Sequence, residues 1–256
     1  IAHSGVMKYC KGDVWLRAKR SENATPETIV ANVLPLTDEE VAQALLPKFT
    51  GTGLRVGVVM KGYGSDAIFD RLRMVDGLDV QPLRSPTEAI LGTCEVVVLP
   101  MMPRNDRGVR ISNGMIAIYR EYTRAGGGLI LTGTLWEMGL REYPGLCKFK
   151  SHSGDHEWVP WTVSKAHPVT KGVAMNEKLQ GTGFSVEYTL APDGVAVAWS
   201  TKSGDPMVVV GEFGKGRVVI CGLDLRFKGK KLYTAKQALL ANAVKWCGRA
   251  GEAGQD

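Results

Sequence analysis

LRVGVVMKGYGS, residues 54–65, joins a continuous apolar run to a glycine turn. Val56, Val58 and Val59 with little polar alternation have the composition of a strand buried on both faces, as parallel strands are. Gly62 and Gly64 then supply a tight turn. Ser65 opens a helical pattern that sets Ile68, Leu72 and Val75 on one face. The same unit recurs downstream. Asp79–Leu83 reads as a second strand, and Ser85-Pro86-Thr87-Glu88 as a helix start with a serine cap and proline at the first helical position. Glu95–Leu99 is a Val-rich third strand halted by Pro100 and Pro103. Ile111, Met115, Ile118, Tyr119 and Tyr122 recur at helical spacing, Gly126-Gly127-Gly128 ends that helix, and Leu129–Leu131 is a fourth strand. Strand and helix in strict alternation imply right-handed crossovers and a parallel sheet.

The C-terminal half reads differently. Val159–Val163, Phe184–Tyr188, Val195–Trp199, Met207–Glu212 and Val218–Cys221 are strand-like runs separated by short turns, with Gly214-Lys215-Gly216 as a tight hairpin. Thr234 with Gln237 opens a last helix whose stripe is Leu240, Ala243, Val244 and Cys247. Residues 1–36 are rich in Lys and Arg, carry Pro26 and Pro35, and read as an extended arm. A short helix follows from a Thr37 cap and a Glu40 capping box, with Val41, Ala44, Leu45 and Phe49 as its apolar stripe. The fold expected is a flavodoxin-like three-layer α/β sandwich over residues 37–256. Its central sheet is mostly parallel, with an antiparallel strand region added in the C-terminal half.

At 256 residues the chain is long enough to bury a core without staples. No apolar run nears the roughly 20 residues of a membrane helix, so no membrane role is expected. The net charge of +6 comes from dispersed residues. Its densest cluster, Arg226, Lys228, Lys230 and Lys231, lacks aromatic interleaving, so nucleic acid is not the expected partner. The five cysteines, Cys10, Cys94, Cys147, Cys221 and Cys247, are scattered with no CxxC, which favours a reducing compartment over disulfides or zinc. The start at Ile1 rather than Met fits a removed leader or a fragment.

Three groups of residues carry candidate chemistry. Gly62-x-Gly64-x-x-Ala67 follows a strand and opens a helix, as a dinucleotide fingerprint does, but Asp79 begins the second strand where an acidic partner would have to end it. A plain βα turn is the better reading, and no cofactor is expected. Leu131-Thr132-Gly133-Thr134-Leu135-Trp136 occupies the strand-to-helix elbow that holds the nucleophile in hydrolases and amidotransferases. Threonines there have no identifiable base. His152, Asp155, His156 and Glu157 form the densest polar cluster, but Ser153-Gly154-Asp155 reads as a loop and supplies no third ligand, so no metal is expected. Open α/β sheets bind ligands beyond the carboxyl ends of their strands. The expected cleft therefore collects Gly62, Tyr63, Gly64, Met102, Thr132, Thr134, Trp136, His152, His156 and Glu187. His167 before Pro168 reads as a structural hydrogen-bonding group.

Gly126-Gly127-Gly128-Leu129-Ile130, Phe149-x-x-His152 and His167-Pro168-Val169-Thr170-Lys171-Gly172-Val173 together resemble the trehalose-utilisation, ThuA-like branch of the class I glutamine amidotransferase-like superfamily. Glu187-Tyr188 resembles that branch's Glu-Leu-Tyr element with a residue missing. Gly214–Val218 followed by Leu239–Trp246 resembles the ending of its sugar-linked members. The resemblance spans residues 54–248 and implies the fold and a sugar connection. It breaks at the elbow, where Gly133 stands in place of the branch's usual histidine, and the catalytic cysteine and late His-x-Glu pair of glutaminases are absent. The expectation is a scaffold, assembly or ligand-binding module without glutaminase activity; the alternative is an enzyme acting on a carbohydrate or oxidised sugar. The arm, with Tyr9 and Trp15 among its basic residues, is expected to mediate self-association or contact with another protein.

Overall fold

The computed structural model describes residues 7–11, 14–18, 33–35, 46–60, 62–84, 87–101, 113–133, 142–153, 159–225 and 233–248. The chain divides into two compact units, Ile1–Leu46 and Pro47–Asp256. In the first, β1 (Met7–Lys11), β2 (Val14–Ala18) and β3 (Val33–Pro35) form an antiparallel sheet in that order. The region expected as an extended arm therefore carries paired strands. The sequence holds the reason: Gly12-Asp13 separates two five-residue runs by the two residues a hairpin needs. The short helix expected from Thr37 falls mostly outside the described residues.

The second unit is built on a nine-stranded sheet. Five strands run parallel: β4 (Leu54–Val59), β5 (Leu78–Leu83), β6 (Val96–Leu99), β7 (Gly128–Thr132) and β15 (Gly216–Cys221). Beyond β15 the sheet continues antiparallel through β14 (Pro206–Phe213), β13 (Val195–Ser200), β10 (Val159–Val163) and β11 (Leu179–Thr182). The order across the sheet is β11-β10-β13-β14-β15-β7-β6-β4-β5. A separate small sheet joins β8 (Glu142–Tyr143), β9 (Cys147–His152) and β12 (Val186–Leu190) in the order β12-β9-β8.

Strand side chains alternate between faces, and each face is covered by different elements. Val56, Val58, Val96, Val98, Ile130, Val219 and Cys221 pack in one core with Ile68 and Leu72 of α1 (Ser65–Arg73) and with Leu240, Ala243, Val244 and Cys247 of α4 (Tyr233–Gly248). The alternate residues Val97, Leu99, Leu129 and Leu131 are buried on the other face, the side of α2 (Glu88–Thr93) and α3 (Asn113–Arg124). Gly57 also faces that side, where a Cβ would come within 2.5 Å of Leu83 and 2.8 Å of Cys94. Over the antiparallel half the small sheet covers this face. A Cβ at Gly211 of β14 would meet Leu146, and Phe213 packs edge-on against Tyr143 at 5.3 Å.

Some boundaries differ from the sequence expectation. The α2 cap is Thr87, whose Oγ1 accepts from Ile90 N at 3.4 Å; Ser85 and Pro86 lie outside the described residues. Helix α1 ends at Arg73, so Val75 sits in the following turn. In α3 the fully buried residues are Ile116, Tyr119 and Thr123, a rotation from the expected stripe that leaves Met115, Ile118 and Tyr122 half-buried. Strand β12 starts at Val186, because Ser185 instead bridges to Leu223.

Candidate functional site

The carboxyl ends of the parallel strands are tied into a continuous rim. Beyond β4, Tyr63 N donates to Met101 O at 2.6 Å. Beyond β6, Met101 N donates to Thr132 Oγ1 at 3.0 Å, and beyond β7, Gly133 N donates to Cys221 O at 2.6 Å. Beyond β15, Gly222 O accepts from Val186 N at 2.8 Å and Leu223 bridges to Ser185. Ser185 N and Oγ both lie on Ser153 Oγ, at 2.9 and 3.0 Å, which brings His152 to the same edge. Gly62, Tyr63, Gly64, Thr132 and His152 thus share one rim, and Glu187 is the next but one residue along β12 from Ser185. Met102, Thr134, Trp136 and His156 lie outside the described residues.

The described residues differ in burial and in their hydrogen-bond partners. Gly133 has φ of 65°, and a Cβ there would sit 2.9 Å from Met101 Sδ, which is why the elbow carries glycine. Thr132 is 3% exposed, and its oxygen accepts the Met101 amide, so it fastens two strand ends together. Tyr63, by contrast, is 48% exposed at the mouth of the rim. His152 Nδ1 lies 3.1 Å from Ser153 O, and since a carbonyl only accepts, this contact is a hydrogen bond when the ring's proton is on Nδ1. The ring stacks near Phe184, centroids 6.0 Å apart, with Phe149 at 6.4 Å. Glu187 accepts from Ser151 Oγ at 2.8 Å and Ser203 Oγ at 2.7 Å, pinning it between β9 and the β13–β14 turn.

Cys94, Cys147, Cys221 and Cys247 are buried and free. Burial pushes the Cys94 thiol up to about 11 and the Cys147 and Cys221 thiols up to about 12, so all three stay protonated at neutral pH. Among the described residues no group of three His, Cys, Asp or Glu is placed to hold a metal, and no helix is long and apolar enough to cross a membrane. His167 caps a 3-10 turn at Pro168–Thr170: its Nδ1 accepts from Val169 N at 3.2 Å while its own N donates to Thr170 Oγ1 at 3.0 Å.

Of two buried rim residues, Ser65 was marked by the sequence as the end of the Gly62–Ser65 turn at the cleft, and Lys236 escaped the reading. Ser65 is 6% exposed at the first position of α1, and Lys236, also 6% exposed, donates from Nζ to Asp224 O at 2.9 Å just past β15. Lysines are almost never this buried, so only the tertiary structure marks Lys236. Ser65 does follow Gly64 directly, and that adjacency is a signal the sequence carried.

The opposite edge of the sheet holds a cavity of about 580 Å³ where α2 and α3 end, lined by Leu91, Cys94, Glu95, Tyr122 and Gly127 among others. Its two carboxylates are each paired with arginine, Glu95 with Arg55 and Glu121 with Arg124.

No protein-family model matches the sequence, and no curated protein matches it. Solved structures do. A cytoplasmic protein from Salmonella typhimurium superposes with a TM-score of 0.59 at 15% identity, over 76% of this chain and 99% of that one. A protein described as ThuA-like from Bacteroides uniformis gives 0.56 at 14% identity, over 78% and 94%. A β-galactosidase from Bacillus circulans sp. alkalophilus gives 0.54 at 14%, over 76% of this chain but 31% of its own. At such identities the likeness concerns the fold, and the fold of this chain is the α/β fold found in ThuA-like proteins.

Proposed function

We propose that this chain is a ligand-binding or assembly module on an amidotransferase-like, flavodoxin-like α/β fold, without glutaminase activity. One observation carries the reading: the elbow residue Thr132 is buried and its oxygen is engaged by the Met101 amide. A nucleophile must be exposed and paired with a base, as an activated cysteine or serine is. The burial of Cys94, Cys147, Cys221 and Cys247 as neutral thiols supports the same reading. Purified protein incubated with glutamine is expected to release no ammonia above a heat-killed control, and release would overturn it. The assembly role is assigned to residues 1–36, as a contact with a second copy or another protein. Deleting them is expected to lower the number of subunits per particle seen by light scattering; an unchanged number removes the arm from self-association.

A second reading, an enzyme acting on a carbohydrate or oxidised sugar, is favoured by Tyr63 exposed at one end of the rim and His152 beside two aromatic rings at the other. Aromatic faces with a few polar groups are what a sugar ring packs against. The β-galactosidase likeness supports it at the level of fold. Galactose, glucose and their uronic acids, titrated against amide NMR spectra, are expected to shift Tyr63, Thr132 and His152. Shifts confined to other regions would remove this reading.

A further inference from the structure

The cavity at the amino edge has the size and lining of a ligand site. Its volume of about 580 Å³ lies within the range of small-molecule sites. Leu91, Ile118, Tyr122 and Ala125 give it apolar walls. Gly92 also lines it, and a Cβ there would meet nothing within 4 Å. The aromatic wall is fixed in place. A Cβ at Gly127 would run into Cζ and both Cε atoms of Tyr122, so the ring lies directly on the glycine backbone. Tyr122 Oη donates to Cys94 O at 3.2 Å, which holds the far end of the ring.

The electrostatics select the sign of the ligand. Helices α2, α3 and α4 all end at this cavity: Cys94 follows α2, Ala125 follows α3, Gly248 closes α4, and all three residues line it. The carboxyl end of a helix carries partial negative charge and favours cations. Glu95 and Glu121 are the charged residues of the lining, and no Lys, Arg or His joins them among the described residues. Arg55 reaches only Oε2 of Glu95, from N at 3.0 Å and Nε at 3.2 Å, and Arg124 pairs with Oε1 of Glu121. The other oxygen of each carboxylate takes no hydrogen bond among the described residues. An aromatic ring beside such groups is the setting in which proteins receive ammonium ligands.

We propose that this cavity is a second binding site, separate from the carboxyl edge, for a small organic cation: an apolar ring or chain bearing one ammonium group. The apolar part packs on Leu91, Ile118 and Tyr122, and the ammonium group lies at the mouth, where Glu121 is 68% exposed. The arginines paired with the two carboxylates offset part of their charge, so affinity comes from the apolar contact as well as from the ammonium group. An anionic ligand of the same shape meets the helix ends and the carboxylates and is repelled.

The test is amide NMR of the full chain titrated with 2-phenylethylamine to about 10 mM at constant ionic strength. Parallel arms use 2-phenylethanol and phenylacetate, which keep the ring and remove or reverse the charge. Saturable shifts are expected at Gly92, Cys94, Tyr122 and Gly127, with the amine tightest and phenylacetate weakest. Gly92→Leu fills the open space and is expected to weaken the amine by about tenfold or more. Glu121→Gln, at an exposed position, is expected to weaken it by about threefold. It decides the matter should the leucine variant lose the dispersed spectrum of a folded protein. Absence of saturable shifts at these amides, equal affinity for alcohol and amine, or affinity unaltered in both variants would overturn the site. Amine shifts confined to Tyr63, Thr132 and His152 would also overturn it, while leaving the carboxyl-edge reading in place. Sugar binding is read at those carboxyl-edge residues, so the failure of either site is distinguishable from failure of the other.

Discussion

At the carboxyl edge of the parallel sheet, Tyr63, Met101, Gly133 and Val186 each donate an amide to the neighbouring strand end. At the amino edge, α2 and α3 stop around an open cavity, and the arginine–carboxylate pairs there stand in solvent. Both edges are rich in glycine, but for different reasons. A Cβ at Gly222 would lie 2.0 Å from Val186 O and 3.0 Å from Met207 O, whereas a Cβ at Gly92 would meet nothing within 4 Å. One edge is closed by backbone against backbone and positions side chains accurately. The other is uneven: a Cβ at Gly127 would lie 2.2 Å from the Tyr122 ring, while the space beside Gly92 in the same cavity is open.

The sharpest way to break this comparison is Gly222→Ala. The atoms in its way are backbone carbonyls of two strands, which cannot rotate aside, so the small sheet must separate from β15 or the main sheet must shift. A loss of about 3 kcal/mol or more in urea unfolding is expected. A loss below about 1 kcal/mol would mean the rim is not the rigid edge described.

Thr132→Val comes next. Valine keeps the shape and removes the oxygen that takes the Met101 amide, leaving a buried N–H without an acceptor. About 1–3 kcal/mol should be lost, and Thr132→Ser should restore most of it. If valine is neutral, Thr132 is not fastening β6 to β7.

How much of this was legible in the sequence depends on which forces set each element. The β4–α1–β5 and β6–α3–β7 units were readable because apolar runs, glycines and helical spacing all agree locally. The antiparallel order of β14, β13, β10 and β11 was not, because pairing between strands far apart in sequence leaves no local mark. The β8–β9–β12 sheet was half visible: Phe184–Tyr188 looked like a strand, but CKFKSH, residues 147–152, alternates too weakly to declare itself. At the site, Gly62 and Gly64 were evident as a turn. That Thr132 would be buried and bonded, and Lys236 buried, depended on contacts between distant segments. Gly12-Asp13 was a legible hairpin signal obscured by the basic composition around it.

The amino edge offers a pH test. His167 Nδ1 accepts from Val169 N, and the ring sits edge-on to Trp246 of α4 at 5.0 Å. Burial, with the charges of Lys165 and Arg217, lowers its pKa below the ordinary 6.5. The unfolded chain therefore binds the extra proton first. The stabilisation is complete above about pH 6.5 and is lost as pH falls through the lower folded value. Because the ring is half exposed, the change is modest, below about 1 kcal/mol. Wild type should lose more stability than His167→Asn between pH 7.5 and 5, since asparagine caps without titrating. Parallel curves for the two would show that the cap bond does not depend on protonation.

Gly92→Ala is the smallest expected effect, and its sign separates the two edges. Gly92 lies inside α2 and lines the cavity, its φ is outside the left-handed region, and a methyl group there would enter open space. Alanine narrows the unfolded ensemble and favours the helix at no steric cost, so stability should rise by roughly 0.5 kcal/mol. The carboxyl edge should lose stability with the same chemical change at Gly222. Equal losses at both positions would mean the amino-edge cavity is filled in solution, and the contrast between a closed edge and a slack one would fail there. A rise at Gly92 beside a loss at Gly222 would place open space at the end of α2 and backbone closure beyond β15.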